Sequence, residues 1–120
     1  ALGERHSALR HASLKWGEGA DAQLRSIANM CAHAHLQLDM LFVFDALYDQ
    51  DLLPLLARMI TKVRACFDTI QTLVIGYQDR QPEVEARGLQ MIQEALQAGG
   101  GGCQVRRLLD LAPVHVVAFD

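Results

Sequence analysis

Residues 39–49 read DMLFVFDALYD, and residues 73–80 read LVIGYQDR. In each stretch an apolar run stops abruptly at a polar or acidic residue. The run from Leu38 to Phe44 is broken only by Asp39 and shows no polar alternation, which is typical of a strand covered on both faces. The run from Thr69 to Tyr77 has the same character. Together they predict two buried strands of a parallel sheet.

Segments with helical periodicity surround these strands. From Asp21 to about Ala34, apolar residues recur at the spacing of one helix face. A second helix is predicted after Asp49-Gln50-Asp51, whose side chains suit a helix start, with Pro54 in the first turn. Pro82 opens a third helix, which the glycines at 99–102 end. The residues expected to face the core are Leu24, Ile27, Met30 and Cys31 in the first helix, Leu52, Leu55, Leu56, Met59, Ile60 and Val63 in the second, and Val84, Met91, Ile92 and Leu96 in the third.

Short apolar segments near the two ends of the chain complete the pattern. A strand end is predicted at Ser13 to Trp16, before a glycine turn. Cys103 to Leu109 and Val114 to Phe119, separated by Asp110 to Pro113, predict a hairpin. Alternating strands and helices favour an α/β fold with parallel strands joined by right-handed crossovers and a C-terminal antiparallel hairpin.

Composition and charge narrow the class of protein. The chain has 120 residues, is 51% hydrophobic and carries a formal net charge of -3, with 11 Lys and Arg against 14 Asp and Glu. Apart from Arg106 and Arg107 the basic residues are scattered, so no nucleic-acid surface is indicated. The longest apolar runs fall far short of the roughly 20 residues that span a bilayer. Cys31, Cys66 and Cys103 form no CxxC pair, which favours an intracellular compartment, either cytoplasmic or mitochondrial.

Two strand ends carry candidate site residues. Asp45 directly follows the first run, and Tyr48 comes three residues later. Ligands of open α/β sheets bind beyond the carboxyl ends of strands, so Asp45 and Tyr48 could shape a pocket for a cationic or amine-bearing group. Alternatively, Asp45 caps the following turn and Tyr48 packs on the sheet. Trp16 either stacks on a planar base or packs as part of the core or a lid.

Other polar residues are not expected to carry chemistry. Cys31 and His35 share a helical face, but His33 points elsewhere and no fourth ligand is evident, which favours a surface helix end over a metal site. His115 and the polar stretch at 77–80 are expected to be solvated or satisfied polar groups rather than catalysts.

Three stretches together resemble the lysine-methyltransferase-like branch of the seven-stranded (class I) S-adenosylmethionine-dependent methyltransferases. They are Leu14-Lys15-Trp16-Gly17, DMLFVFDALYD at 39–49 and LVIGYQDR at 73–80. In that family a Trp-Gly pair follows the third strand, an Asp-x-x-Tyr motif ends the fourth, and the fifth strand follows one helix later. A helix and an antiparallel hairpin then close the fold. The resemblance implies a Rossmann-like sheet of order 3-2-1-4-5-7-6, of which this chain forms the second half.

The resemblance also implies roles for three residues. Trp16 corresponds to the residue at the adenine edge of the cofactor. Asp45 corresponds to the acid at the mouth of the methyl-transfer pocket, and Tyr48 to the aromatic wall of that pocket. The implied catalytic residues are thus Asp45 and Tyr48, the implied cofactor-binding residues are Trp16 and Asp45, and no metal is implied. Methyl transfer depends on aligning an amine with the sulfonium methyl group more than on a covalent catalyst.

Two parts of the family's cofactor site have no counterpart in residues 1–120. These are the glycine-rich loop after the first strand and the acid that holds the cofactor ribose after the second, both of which would precede Ala1. The chain is therefore expected to be a partial domain, incomplete at its N-terminus and inactive alone. It would leave one edge of the strand at 38–44 exposed, for an upstream segment or another chain to complete.

The implied function is part of a methyltransferase that uses S-adenosylmethionine and acts on a protein substrate, of the protein lysine methyltransferase type. The alternative is a catalytically inert methyltransferase-like subunit with a structural or assembly role in a large complex. Lys15 favours this alternative, because it puts a positive charge near a site for a cationic cofactor. A doubly wound regulatory or binding module unrelated to methyl transfer is the third interpretation.

Overall fold

The computed structural model of the chain describes residues 12, 14, 16–17, 19–98 and 103–120. In chain order these residues form α1 (Ala20–His33), β1 (Met40–Phe44), α2 (Leu53–Cys66), β2 (Thr72–Gln78), α3 (Pro82–Ala98), β3 (Val105–Leu111) and β4 (Val114–Phe119), with a 3-10 turn at Gln50–Leu52. The predicted helices and strands from residue 21 onward are confirmed. Ser13 and Lys15 of the predicted strand end lie outside the described residues, as do the glycines at 99–102, and Trp16 lies in a bend. Over the described ranges, no helix is long and apolar enough to cross a membrane.

Side-chain caps begin two of the helical segments. The Asp49 carboxylate accepts a hydrogen bond from the Asp51 backbone N–H at 3.0 Å, at the start of the 3-10 turn that leads into α2. Before α3, the buried Glu85 carboxylate accepts hydrogen bonds from the backbone N–H groups of Arg80 (2.8 Å) and Gln81 (3.0 Å). Helix starts leave N–H groups without helical partners, and these carboxylates satisfy such groups. The predicted capping role of the acidic stretch at 49–51 is thus confirmed at Asp49.

The four strands form one mixed sheet in the order β1-β2-β4-β3. β1 and β2 are parallel, with a register that runs from Met40 opposite Thr72 to Phe44 opposite Gly76. β4 is antiparallel to both β2 and β3. Within the described residues, β1 and β3 are therefore the edges of the sheet. The fold class is α/β with one parallel pair of strands.

The C-terminal hairpin has a shorter turn than the sequence predicts. Asp110 and Leu111, expected in the turn, belong to β3 instead. Only Ala112 and Pro113, joined by a cis peptide bond, separate β3 from β4. Because the turn is so short, Asp110 lies directly opposite His115 in the antiparallel register.

One face of the sheet packs against helices, and we call it the helix face. Its strand residues are Leu41, Val43, Leu73, Ile75, Tyr77, His115, Val117 and Phe119. Leu56 and Ile60 of α2 and Ile92 of α3 pack with these residues in one buried cluster. Leu24 of α1 belongs to a neighbouring buried cluster that also contacts Leu41. All three helices therefore bury apolar side chains on the same side of the sheet.

The other side of β1 is exposed, so the prediction that this strand is covered on both faces is wrong. Met40, Phe42 and Phe44 alternate with the helix-face residues and are 47%, 55% and 61% exposed. The reason is that the buried side chains of α1, α2 and α3 cluster with the helix face. We call the opposite side the second face, and its residues are Met40, Phe42, Phe44, Thr72, Val74, Gly76, Val114, Val116 and Ala118. Met30 and Leu52, also expected in the core, are 39% and 37% exposed.

Candidate functional site at the carboxyl ends of β1 and β2

The carboxyl ends of the two parallel strands lie side by side. Asp45 directly follows β1, and its backbone N–H donates a hydrogen bond to the Gly76 carbonyl of β2 at 2.9 Å. Asp79 and Arg80 follow the end of β2, so they lie at the same end of the sheet as Asp45. This is the position at which open α/β sheets bind ligands. The prediction that Asp45 lies at the carboxyl end of a parallel strand is confirmed.

The backbone of Asp45 adopts an unusual conformation. Its φ is 59°, in the left-handed region. For residues with a Cβ this conformation costs roughly 1–2 kcal/mol, and Asp and Asn adopt it more readily than most others. The turn leads the chain directly to Leu47, which is buried in the main core cluster. Replacement of Asp45 by Asn therefore removes the charge without forcing a less tolerant residue into this turn.

Gly76 allows an aromatic ring to lie close against the sheet beside Asp45. A Cβ atom at position 76 would approach the Phe44 ring to within 2.6 Å of Cε1, far closer than a normal contact. The rings of Phe42 and Phe44 stack with their centroids 6.1 Å apart. The second face therefore presents two exposed aromatic rings next to the candidate site.

Asp45 is paired with a cation from the end of β2. Its Oδ1 lies 3.2 Å from Arg80 Nη1, and the two side chains are 63% and 50% exposed. Arg80 Nη2 also donates to Gln78 Oε1 at 3.3 Å. Exposed ion pairs of this kind contribute about 0.2–1 kcal/mol. A cationic ligand can therefore replace Arg80 at this carboxylate at little cost.

Two cavities border this part of the sheet. The smaller has a volume of about 270 Å³ and is lined by Phe44, Asp45, Gly76, Tyr77, Gln78, Val114 and Val116. The larger, of about 310 Å³, runs along the edge of β1 and is lined by Leu14, Trp16, Leu41, Phe42, Val43, Phe44, Ala46, Leu56, Met59, Ile60 and Val63. Phe44 contributes to both cavities.

Neither of these two cavities, which described residues line, contains all three predicted site residues. Trp16 is 43% exposed and borders the larger cavity, whereas Asp45 borders the smaller one. Tyr48 is 50% exposed, in the loop between β1 and α2, and lines neither. The fold thus brings Trp16 and Asp45 to opposite sides of Phe44. The role of Tyr48 as a pocket wall stays a prediction.

The lining of the larger cavity offers few partners to the polar groups of S-adenosylmethionine. Apart from the indole N–H of Trp16, its lining side chains are aliphatic or aromatic without a donor or acceptor. The ribose hydroxyls and the amino-acid group of the cofactor need hydrogen-bond partners once they leave water. The described residues around this cavity therefore do not suffice to hold the whole cofactor.

No model of a known protein family matches this chain, and a search of curated proteins finds no significant similarity. The sheet topology and the side chains at the strand ends are consequently the features that bear on function.

A second polar cluster lies at the same end of the sheet. The sequence alone did not indicate that its members contact one another. His115 Nε2 lies 2.8 Å from Asp79 Oδ2 within hydrogen-bond geometry. Nδ1 lies 2.6 Å from Asp110 Oδ1 but without hydrogen-bond geometry, so this is a charge contact. The ring of Tyr77 stacks on the His115 ring with the centroids 5.1 Å apart. The interpretation of Asp79 as a satisfied polar group is confirmed. For His115 it holds only at Nε2, because Nδ1 has no hydrogen-bond partner among the described residues.

The charges around His115 determine its protonation. The hydrogen bond to Asp79 raises the pKa of His115, removal from water opposes this effect, and the contact with Asp110 raises the pKa further. Burial raises the pKa of the Tyr77 phenol. The sequence does hold a signal for part of this cluster: a two-residue turn at Ala112-Pro113 would place residue 110 opposite residue 115.

Residues 31–35 form the end of α1 and the turn that follows it. Cys31 packs against the cluster around Leu24, and His35 has a φ of 56° just beyond α1. Across the part of the chain that the structure describes, no group of three or more His, Cys, Asp and Glu side chains is arranged to hold a metal ion.

Proposed function

We propose that this chain forms the second half of a Rossmann-like methyltransferase sheet and contributes the substrate side of a methyl-transfer site. The supporting observation is the strand order β1-β2-β4-β3 with β4 antiparallel to both neighbours. The resemblance implies the order 4-5-7-6 for the second half, closed by an antiparallel hairpin, and the observed order corresponds to it. Asp45 then lies where the family's Asp-x-x-Tyr motif ends its fourth strand.

In this proposal the complete protein transfers a methyl group from S-adenosylmethionine to a lysine side chain of a protein substrate. The lysine ammonium group first loses a proton to water, the neutral amine then accepts the methyl group, and S-adenosylhomocysteine leaves. Asp45 receives the lysine ammonium group at the mouth of the pocket in place of Arg80, which occupies that position at 3.2 Å. Trp16 borders the adenine, and Tyr48 contacts the substrate. Chemically, the required contribution of the protein is alignment of the amine with the sulfonium methyl group.

In this proposal the remaining strands of the sheet pair with the edge of β1. β1 is an edge strand among the described residues, its five residues are all apolar, and an apolar cavity runs beside it. Unpaired backbone groups on an apolar edge invite an additional strand. An upstream segment or another chain supplies this strand and covers Phe42 and Phe44 on the second face.

Calorimetric titration with S-adenosylmethionine tests the proposal on the full-length protein in its native assembly. Binding is expected, and Trp16→Ala should weaken it. With a lysine-containing protein substrate, Asp45→Asn should lower kcat/KM by roughly ten-fold or more, the effect of losing one charge-assisted contact of about 1.5–3 kcal/mol. Asp39→Asn, at the opposite end of the same strand, is the matched control. Absence of cofactor binding to the assembled protein would eliminate methyl transfer.

An inert structural or assembly subunit is the second candidate, favoured by two observations. Arg80 already neutralises Asp45, and the larger cavity offers few polar groups to a cofactor. Sedimentation with a large particle should then persist in Asp45→Asn and Trp16→Ala but be lost in Phe42→Asp, which places a charge on the exposed second face. Loss of a methylation activity in Asp45→Asn would contradict this candidate.

A further inference from the structure

The turn after β2 is held from two sides by adjacent residues. On one side, Asp79 contacts His115, and its backbone N–H donates to the Pro113 carbonyl of the hairpin turn at 2.8 Å. On the other side, Arg80 contacts Asp45. A change at His115 therefore acts on Asp79. The next residue, Arg80, is the cation that contacts Asp45 at the candidate site.

We infer that His115 is a pH-dependent link between the turn after β2 and the end of β3. As the imidazolium it contacts both Asp79 and Asp110, and on losing a proton it keeps its hydrogen bond to Asp79 but repels Asp110, so that the turn that carries Arg80 is no longer joined to β3 through His115. The inference does not depend on the proposed methyl transfer, because it concerns the contacts of this turn alone.

The positions of the two carboxylates around the ring favour a proton on both nitrogens. Carboxylate oxygens lie 2.8 Å from Nε2 and 2.6 Å from Nδ1. Neutral imidazole carries one N–H and one lone pair, so one of the two carboxylates would then face a lone pair at contact distance. The imidazolium attracts both carboxylates. Deprotonation thus turns one attractive contact into a repulsive one.

The other charged groups near His115 do not replace it in this role. Arg107 Nη1 lies 3.8 Å from Asp110 Oδ2, a longer contact than that of the ring, and therefore compensates only in part for a lost proton on the ring. The Tyr77 ring stacks on the imidazole, and burial, with the charge of Glu85 on α3 contributing, raises the pKa of its phenol, so Tyr77 stays neutral near pH 7. Histidine is the side chain of this set whose ordinary pKa lies near neutrality.

The direction of the pH effect follows from the hydrogen bond to Asp79, which raises the pKa of His115 in the folded protein. A group with a raised folded-state pKa contributes its full stability below the unfolded value, about 6.5 for histidine. The contribution is lost as the pH rises through the raised pKa. The turn is therefore joined to β3 through His115 at mildly acidic pH, and this link is lost on the alkaline side of that pKa.

An NMR titration of the whole protein tests the inference. The His115 ring protons should titrate above the ordinary histidine value, and the backbone amide signals of Arg80 and Asp45 should shift with the same midpoint. Asp79→Asn should lower the His115 midpoint, and Asp110→Asn should lower it as well. His33→Gln, at the exposed end of α1, is the control and should leave all three midpoints unchanged.

Two results would overturn the inference. One is a His115 midpoint at or below the ordinary histidine value in the unmodified protein, a measurement that needs no variant to fold. The other is a raised His115 midpoint that the Arg80 and Asp45 amides do not follow, because the turn would then be held independently of the histidine.

Discussion

The two faces of β1 have similar composition and opposite surroundings. Leu41 and Val43 point to the helix face and pack against its core cluster, whereas Met40, Phe42 and Phe44 are exposed on the second face. A helix-covered face and an exposed face thus share one strand. The difference shows that an apolar run indicates a strand but does not reveal which of its faces a partner covers.

The largest loss in the free energy of unfolding is expected for a change in the core of the helix face. It tests the difference between the two faces. Ile75 is fully buried in β2, so Ile75→Ala should lower the free energy of unfolding by about 2–5 kcal/mol, from lost burial and the cavity left behind. Phe42→Ala, on the second face, should cost only about 0.5–1.5 kcal/mol, since Phe42 is already 55% exposed and loses mainly its stacking on Phe44. Urea denaturation of both variants measures the difference. Equal losses would mean that the second face is as well packed as the helix face.

An intermediate effect is expected where the helix layer meets the turn after β2. Glu85→Ala should cost about 1–2 kcal/mol, because the Arg80 and Gln81 N–H groups lose a buried acceptor. Glu85→Gln keeps an acceptor oxygen and should cost less. Glu83→Ala, at an exposed position in the first turn of α3, is the control in thermal unfolding. A similar loss in Glu83→Ala would assign the effect to helix charge instead of to the cap.

The smallest effect is expected at the end of the sheet opposite the candidate site. Asp120 pairs with Arg106 and accepts a hydrogen bond from Thr72 Oγ1 at 2.9 Å. The hydrogen bond from Arg106 lowers the pKa of Asp120, and the hydrogen bond from Thr72 lowers it further. A lowered folded-state pKa means that this contribution is present above the ordinary Asp value and lost as the pH falls through the folded one.

The measurement is the melting temperature as a function of pH for the unmodified protein and for Asp120→Asn. The gap between the two proteins should be small at pH 7 and should close in the acidic range, where Asp120 becomes protonated. A gap that persists unchanged below the folded-state pKa of Asp120 would show that the ion pair with Arg106 is not its source.

Local signals were sufficient for most of the secondary structure and for one site residue. The periodicity of α1, the acidic cap before α2 with Pro54 in its first turn, and Pro82 at the start of α3 are properties of neighbouring residues. Asp45 could be placed at a strand end because apolar runs end where a strand leaves the core. These features act over a few residues, and a sequence displays them directly.

The polar cluster and the exposed aromatic rings could not be predicted in the same way. Asp79 and His115 are 36 residues apart, and their contact depends on β4 inserting antiparallel beside β2. The placement of Arg80 on Asp45 likewise depends on β1 and β2 ending at the same edge. Contacts of this kind arise from strand order, which no local pattern records.

By itself, the sequence determined where helices and strands lie to within about three residues, that the fold is α/β, and that an acid ends the first strand. Those properties follow from backbone geometry and from the spacing of apolar side chains. Only the tertiary structure decided that the helices bury their apolar side chains against one face of the sheet and that Asp79, Asp110 and His115 meet. The reason is that these outcomes depend on which distant segments pack together, and burial and charge pairing are properties of that packing.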